Sequence, residues 1–290
     1  MAGRGARGAG HGSLEERFEP ARAILRSFER VIVAFSGGVD STLLVKLARD
    51  VLGKDRVLAV TADSPSLSRA DLEEARRLAK ELEIEHLVVP TREVDDPSYR
   101  ANSPSRCYVC KHELFEELEV LARARGVPAV VYGAIGDDVA AERPGQRAAQ
   151  ECRVRAPLQE AGLAKWEVRA LAKQLGLSNW DRPQNACLSS RIPHGSDVTE
   201  EKLRQIEEAE RLLLGQGFRQ VRVRHLGRHA RIEVGADEVH RFQDAALCLE
   251  TAARFEALGF ETVGVDRAGY RPGSADAISA DEILLSAIAK

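Results

Sequence analysis

The chain has 290 residues, 42 Lys and Arg against 45 Asp and Glu, a formal net charge of −3 and a hydrophobic fraction of 44%. That length suits two modest domains or one large one, and the composition is that of a soluble globular protein. No run approaches the roughly 18 apolar residues of a membrane span, the acidic balance disfavours bulk nucleic-acid binding, and five cysteines without a secreted spacing argue against a disulfide framework. The opening MAGRGARGAGHG is Gly- and Arg-rich and lacks the apolar core of a signal peptide, so residues 1–17 read as a disordered tail of a cytoplasmic protein.

Strands and helices then alternate. RVIVAF (30–35) reads as a buried strand, followed by a glycine turn and a helix from Ser41 to Leu52. RVLAVTA (56–62) is a second strand. SRADLEEARRLAKELEI is a helix with Ser68 at its N-cap and Asp71 in the capping-box position. EHLVVP (85–90) is a third strand, a helix then runs to Arg125, and AVVYGA (129–134) is a fourth strand. This alternation predicts an α/β fold over residues 18–195, a parallel sheet with helices on both faces. Near Gly195 the pattern changes. A helix capped by Thr199, two short alternating segments (QVRVRHLG and HARIEVG), a helical region at about 236–258 and a strand ETVGVDRAGY predict a small α+β domain over 196–275, for substrate binding or oligomerisation, before a tail at 276–290.

The strongest motif is VIVAFSGGVDSTLLVKLA, a strand running through Ser36, Gly37, Gly38, Val39, Asp40 and Ser41 into a helix. Paired glycines let the backbone approach a phosphate without a Cβ in the way, and the helix N-terminus adds partial positive charge. Ser36 and Ser41 supply hydroxyls, while Asp40 suits a helix cap or a Mg²⁺ ligand. No Gly-Lys-Ser/Thr follows, so this is not a Walker loop. The residues at the carboxyl end of the second strand, Thr61 and Asp63, and Gly133 after the fourth, are expected around a nucleotide. Asp137 and Asp138 are either part of that site or a solvated pair capping a helix.

SGGVDS resembles the PP-loop of the ATP pyrophosphatases, which split ATP between the α and β phosphates and adenylate an acceptor. Four further stretches, NSPSRCYVCKHELF, RPGQRAAQECRVRAPL, WDRPQNACLSSRIPHG and GYRPGS, occur in the order found in the LarE family of ATP-dependent sulfur transferases. The resemblance spans about residues 18 to 275. It implies ATP and Mg²⁺ as cofactors, a homo-oligomer, and a pyridinium-3,5-dicarboxylate mononucleotide whose carboxylates are adenylated and converted to thiocarboxylates for a nickel-pincer cofactor. It implies that Cys187 is the sulfur-handling residue, followed in the motif by Ser190 and Arg191. Arg191 is suited to a bidentate contact with phosphate or carboxylate and lies close enough in sequence to lower the thiol pKa. The resemblance also gives Arg222 and Arg224, on one face of a strand, to the substrate phosphate, the alternative being a solvated strand face, and Glu233 on the adjacent segment reads only as a partner for them. One departure is that YGAIGDDVAAERPG lacks the Asn that follows the fourth strand in many PP-loop enzymes.

Cys107 and Cys110 open a helix three residues apart. By spacing alone they suit a redox dithiol, half a metal site, or neither. Cluster-bearing members of the family have a three-cysteine set, so the resemblance implies that Cys107, Cys110 and Cys187 ligate a [4Fe–4S] cluster, an iron of which stays open to carry sulfide. Members without the pair spend the sulfur of the remaining cysteine. Other readings are a cluster-bearing tRNA thiolation enzyme, a regulator with zinc on Cys107, Cys110, His112 and Cys187, and an amidating enzyme. Cys152 and Cys248 read as structural.

Overall fold

The computed structural model describes residues 14–141, 144–183, 185–271, 276 and 281–285. The Gly/Arg opening, most of the C-terminal tail and the end of the GYRPGS stretch lie outside them. In chain order the elements include α1 (Glu19–Arg26), β1 (Val31–Ala34), α2 (Val39–Leu52), β2 (Val57–Asp63), α3 (Arg69–Glu81), β3 (Glu85–Pro90), α4 (Arg106–Arg125), β4 (Ala129–Tyr132) and α5 (Lys165–Gln174). There follow α6 (Glu200–Gly215), β5 (Val221–Leu226), β6 (His229–Val234), α7 (Ala245–Ala257), β7 (Thr262–Asp266) and β8 (Glu282–Leu284). The chain forms two compact units interleaved in sequence, one from Met1–Ala62, Asp71–Val89 and Leu114–Gln184, the other from Asp63–Ala70, Pro90–Glu113 and Asn185–Lys290.

The first unit is built on a four-stranded sheet of order β3-β2-β1-β4, in which β1 is parallel to both of its neighbours. All four residues of β1 are buried, as a strand covered on both faces requires. Leu43, Leu44 and Leu47 of α2, Leu78 of α3 and Val168 and Leu171 of α5 pack in the same core as Val31 and Val33. This is the expected parallel sheet flanked by helices. The chain runs outward from β1 to β3 and then returns to the other side of β1, so the strand order reverses between β1 and β4. In open α/β sheets the crevice beyond the carboxyl ends at such a reversal is where ligands bind, and the glycine loop leaves β1 there. The helix after it begins at Val39, two residues before the expected start, with Gly38 as its N-cap.

The second unit contains the expected α-β-β-α-β order, with β8 added. The sheet order is β5-β6-β7-β8, with β5 and β6 antiparallel, β6 and β7 parallel, and β7 and β8 antiparallel. Thr199 caps α6, its hydroxyl accepting the Lys202 N–H at 3.3 Å. Val221, Val223, Ile232, Val234, Val263 and Val265 pack with Leu213, Ala252, Phe255 and Phe260 in the main core. A smaller cluster of Val94, Tyr99, Leu188, Ile192, Val198, Leu203 and Ile206 joins the segment at 90–113 to the chain after 185, with Val109 and Cys110 packed against it. Among the described residues no helix is long and apolar enough to cross a membrane.

Candidate functional sites

In the first unit the glycine loop places Ser36, Gly37, Gly38, Asp40 and Ser41 at the start of α2. Gly37 has φ +70°, and a Cβ on it would lie 3.2 Å from the Ala75 backbone. No side chain caps α2, so the first-turn N–H groups, which have no carbonyl within the helix, stay aimed at the loop. Inside the loop the Ser41 hydroxyl donates to Gly38 O at 3.0 Å and lies 3.3 Å from the Ser36 hydroxyl. Asn179 Nδ2 donates to Gly37 O at 3.0 Å, fixing the loop from the end of the unit's chain.

Asp40 lies in an ion pair. Lys165 Nζ, from the first turn of α5, donates to both of its oxygens at 2.6 and 2.7 Å. Burial raises the Asp40 carboxyl pKa, the Lys165 hydrogen bond opposes that, and the charge of Asp138 adds to it. Asp137 accepts the Lys165 backbone N–H at 2.9 Å, and Asp138 accepts that of Ile135 at 3.1 Å. Gly133 has a packing requirement, because a Cβ there would meet Ser41 N at 2.8 Å. Thr61 is buried, and its hydroxyl is used by the chain, donating to Phe35 O at 2.6 Å and contacting His86 Nε2 at 2.8 Å. Asp63 belongs to the second unit, where Arg69 Nη1 donates to it at 2.6 Å. Lys165 and Asn179 carry no motif, so sequence reading passes over both.

In the second unit Cys187 is exposed, at the head of a one-turn helix, Leu188–Arg191. Arg191 is 1% exposed and its fork is spent on the protein. Nε and Nη2 donate to the Glu210 carboxylate at 2.9 and 3.1 Å, while Nη1 reaches Ala186 O at 2.5 Å, Cys187 O at 3.0 Å and the Ser190 hydroxyl at 3.1 Å. The bidentate carboxylate contact expected of Arg191 is thus made to Glu210. Arg224 is likewise buried and donates through Nε and Nη2 to Glu233 Oε2 at 3.0 and 2.8 Å, and through Nη1 to Ser190 O at 3.1 Å. Arg231 shares Glu233 at 3.3 Å. Arg222 lies with its guanidinium 5.3 Å from the Tyr270 ring centre. Burial, and then the charge of Arg191, pull its pKa down.

The cysteines of the pair belong to the same unit. Cys107 is exposed and Cys110 half-buried. Burial, then the charges of Glu93 and Cys187, with a smaller part from Cys107, push the Cys110 thiol pKa up, so the three sulfurs share one electrostatic neighbourhood. They match a cluster in donor type. In position they fall short of one, since among the described residues no group of three or more His, Cys, Asp or Glu side chains is arranged to hold a metal ion. Cys152 and Cys248 are buried, the latter donating from Sγ to Phe242 O at 3.1 Å. The His112 ring lies tilted beside that of Tyr108, and His194 pairs with Asp276 at 2.7 Å.

Comparison with known proteins identifies the family. The family model for NAD synthase matches residues 23–137, the stretch from α1 past β4. The chain is 44% identical, over 90% of its length and 97% of the relative's, to an uncharacterised protein of Synechocystis. It is 38% identical, over 87% of its length and 90% of the relative's, to the pyridinium-3,5-bisthiocarboxylic acid mononucleotide synthase of Lactiplantibacillus plantarum. It is 28% identical, over 84% of its length and 91% of the relative's, to an uncharacterised protein of Methanocaldococcus jannaschii. With that identity to the mononucleotide synthase along nearly all of both chains, and a glycine loop at the switch point of a parallel sheet, the chain belongs to the LarE family of ATP-dependent sulfur transferases, within the PP-loop enzymes.

Proposed function

We propose that the enzyme adenylates the carboxylates of a pyridinium-3,5-dicarboxylate mononucleotide and replaces carboxylate oxygen with sulfur at Cys187, in the making of a nickel-pincer cofactor. The observation that carries this reading is an exposed thiol on a loop whose backbone is fixed by buried arginines. A carboxylate is a poor electrophile. Its attack on the α-phosphorus of ATP releases pyrophosphate and leaves an acyl-adenylate, from which AMP departs when sulfur attacks the acyl carbon. The uncapped start of α2 suits the pyrophosphate oxyanions, with Ser36, Gly37, Gly38 and Ser41 around them. Asp40 would then exchange Lys165 for Mg²⁺, and the freed ammonium would face the phosphates. Thr61 and Gly133 shape the surroundings of the nucleotide.

Charge supports the choice of substrate. Among the described residues of the β5 and β6 face, Arg222, Arg224 and Arg231 stand against Glu233, while Asp266 on neighbouring β7 is paired with Arg271. That excess favours a phosphate dianion, and Arg222, whose charge burial disfavours, gains from it. Arg224 flanks the same position.

Two sources of sulfur are open to Cys187. In one, its thiolate forms the thioester and its own Cβ–S bond then breaks, with loss of the α-proton, giving the thiocarboxylate and a dehydroalanine in the protein. In the other, Cys107, Cys110 and Cys187 would hold a [4Fe–4S] cluster, which would supply renewable sulfide. We favour the second on the family resemblance, because the chain carries Cys107 and Cys110 as free thiols in the same unit as Cys187. The test is anaerobic reconstitution. About four irons per chain, lost in Cys107→Ala, Cys110→Ala and Cys187→Ala alike, support it, and a Cys187 mass loss of one H₂S after a single turnover overturns it. The function itself is tested with ATP and the mononucleotide. AMP and pyrophosphate should form in both wild type and Cys187→Ala, with thiocarboxylate only in wild type. ADP and phosphate as products would refute it.

A further inference from the structure

Four carbonyls of the Cys187 loop end on guanidinium groups. Ala186 O and Cys187 O accept from Arg191, Ser189 O accepts from Arg106 Nη1 at 3.0 Å, and Ser190 O accepts from Arg224. Each of these arginines is buried, and each is fixed from behind by a second acceptor. Asn102 Oδ1 accepts from Arg106, Glu233 from Arg224 and Glu210 from Arg191. The two N–H groups of Asn102 Nδ2, one of them shared, reach Ile192 O, Pro193 O and Ser196 O and close the far side of the loop at 3.2, 2.8 and 3.0 Å. The backbone is therefore turned inward along its length, and the Cys187 side chain is left outside.

Glu210 is the member that does more than anchor one cation. Its two oxygens occupy Nε and Nη2 of Arg191, which leaves Nη1 to the carbonyls of Ala186 and Cys187. Its Oε1 also accepts the Val223 N–H of β5 at 3.0 Å. One buried carboxylate thus ties α6, β5 and the loop into a single geometry. We infer that Glu210 is a positioning residue for sulfur transfer, acting through Arg191 to fix the Cys187 thiol in line with the activated carboxyl, and that Arg191 serves the loop and not the substrate. This rests on the reading of Cys187 as the sulfur-handling residue. Orientation of a nucleophile governs the rate of attack steeply, and a displacement of about 1 Å costs on the order of 100-fold.

The test uses the full chain with Glu210→Gln, Arg191→Lys and the paired Arg191→Met/Glu210→Met, which removes both charges together so that neither is stranded in the interior. Pyrophosphate release and the KM for the mononucleotide should stay near wild type. Thiocarboxylate formed per acyl-adenylate should fall about 10- to 100-fold, and iodoacetamide should label Cys187 of the chelator-treated protein at a rate altered several-fold. A raised KM with an unchanged yield per adenylate in Arg191→Lys would make Arg191 a substrate ligand and overturn the inference. Wild-type yield and wild-type labelling in a folded paired variant would overturn it as well. Product from Cys187→Ala would remove the underlying reading instead, a failure that the labelling rate, measured without substrate, keeps separate from that of the clamp.

Discussion

The two candidate loops are built in opposite ways. At the start of α2 the backbone N–H groups are left without a side-chain cap, and the one carboxylate is held by a half-buried lysine. At Cys187 the backbone carbonyls are all but consumed by buried arginines, and the side chain is the part left open. On the proposed reading, the first loop offers its main chain to a ligand and needs small residues for room, and the second offers one atom and needs a rigid mount. A binding loop would then be spelled by its own residues, whereas a nucleophile's mount would be recruited from wherever the fold brings cations together.

The largest effect separates the loops by chemistry. Asp40→Ala is expected to abolish pyrophosphate release, and Gly133→Val to do nearly the same by driving a side chain against Ser41 N. Both should leave the mount of Cys187 intact, with unchanged iodoacetamide labelling. If either variant altered labelling as strongly as it altered adenylation, the two loops would not be independent devices.

Next comes the contrast between the two kinds of ion pair. Glu233 is fully buried between Arg224 and Arg231, and removing one partner of a buried pair strands the other, at roughly 3–5 kcal/mol. Glu233→Gln should therefore lower the denaturant midpoint markedly. Lys165 and Asp40 are 29% and 26% exposed at their side chains, so Lys165→Met should cost about 1 kcal/mol of stability or less while sharply reducing adenylation. Equal loss of stability in the two variants would erase the distinction.

Arg222 tests the boundary between mount and binding surface. If it meets the substrate phosphate, Arg222→Ala should weaken binding of the mononucleotide by roughly 1.5–3 kcal/mol and leave ATP binding unchanged in calorimetric titration. Unchanged mononucleotide affinity would return the phosphate site to other residues.

What the sequence disclosed follows the same division. β1, the glycine loop and α2 are legible because strand, glycines and helix are contiguous, and paired glycines have few other uses at a strand end. Thr199 announces α6 because capping is a local interaction. The partners of the Cys187 loop are not legible. Arg106, Arg191 and Arg224 are scattered over more than a hundred residues, and nothing in Asn102 or Glu210 marks them as acceptors facing inward. Thr61 shows the converse, since a hydroxyl at a strand end that suits a nucleotide is in fact buried against Phe35 O. The packing of residues 90–113 with the chain after 185 depends on Tyr99, Leu188 and Ile206 meeting in one cluster, a long-range event with no local periodicity. β8 has three residues, too few for alternation to show.

The last contrast asks which unit fails first in acid. His225, on β5, is 4% exposed, and burial, with the charge of Lys202 adding to it, takes its pKa down to about 4. Nε2 contacts Gln205 Oε1 at 2.9 Å and Nδ1 has no hydrogen-bond partner. The unfolded chain takes up the proton near pH 6.5 and the folded chain only near 4, so the unfolded state binds more protons between those values and stability falls as pH drops through that window. By pH 5 the loss should be about 2 kcal/mol. His225→Phe, which keeps an aromatic ring beside Phe260, should flatten the decline in chemical denaturation followed between pH 7 and 5. In the first unit His86 is also pulled below its ordinary value by burial, then by the charge of Arg76. It would carry the acid sensitivity if the decline persisted in His225→Phe and disappeared in His86→Phe, and the weaker unit in acid would then be the one with the open loop.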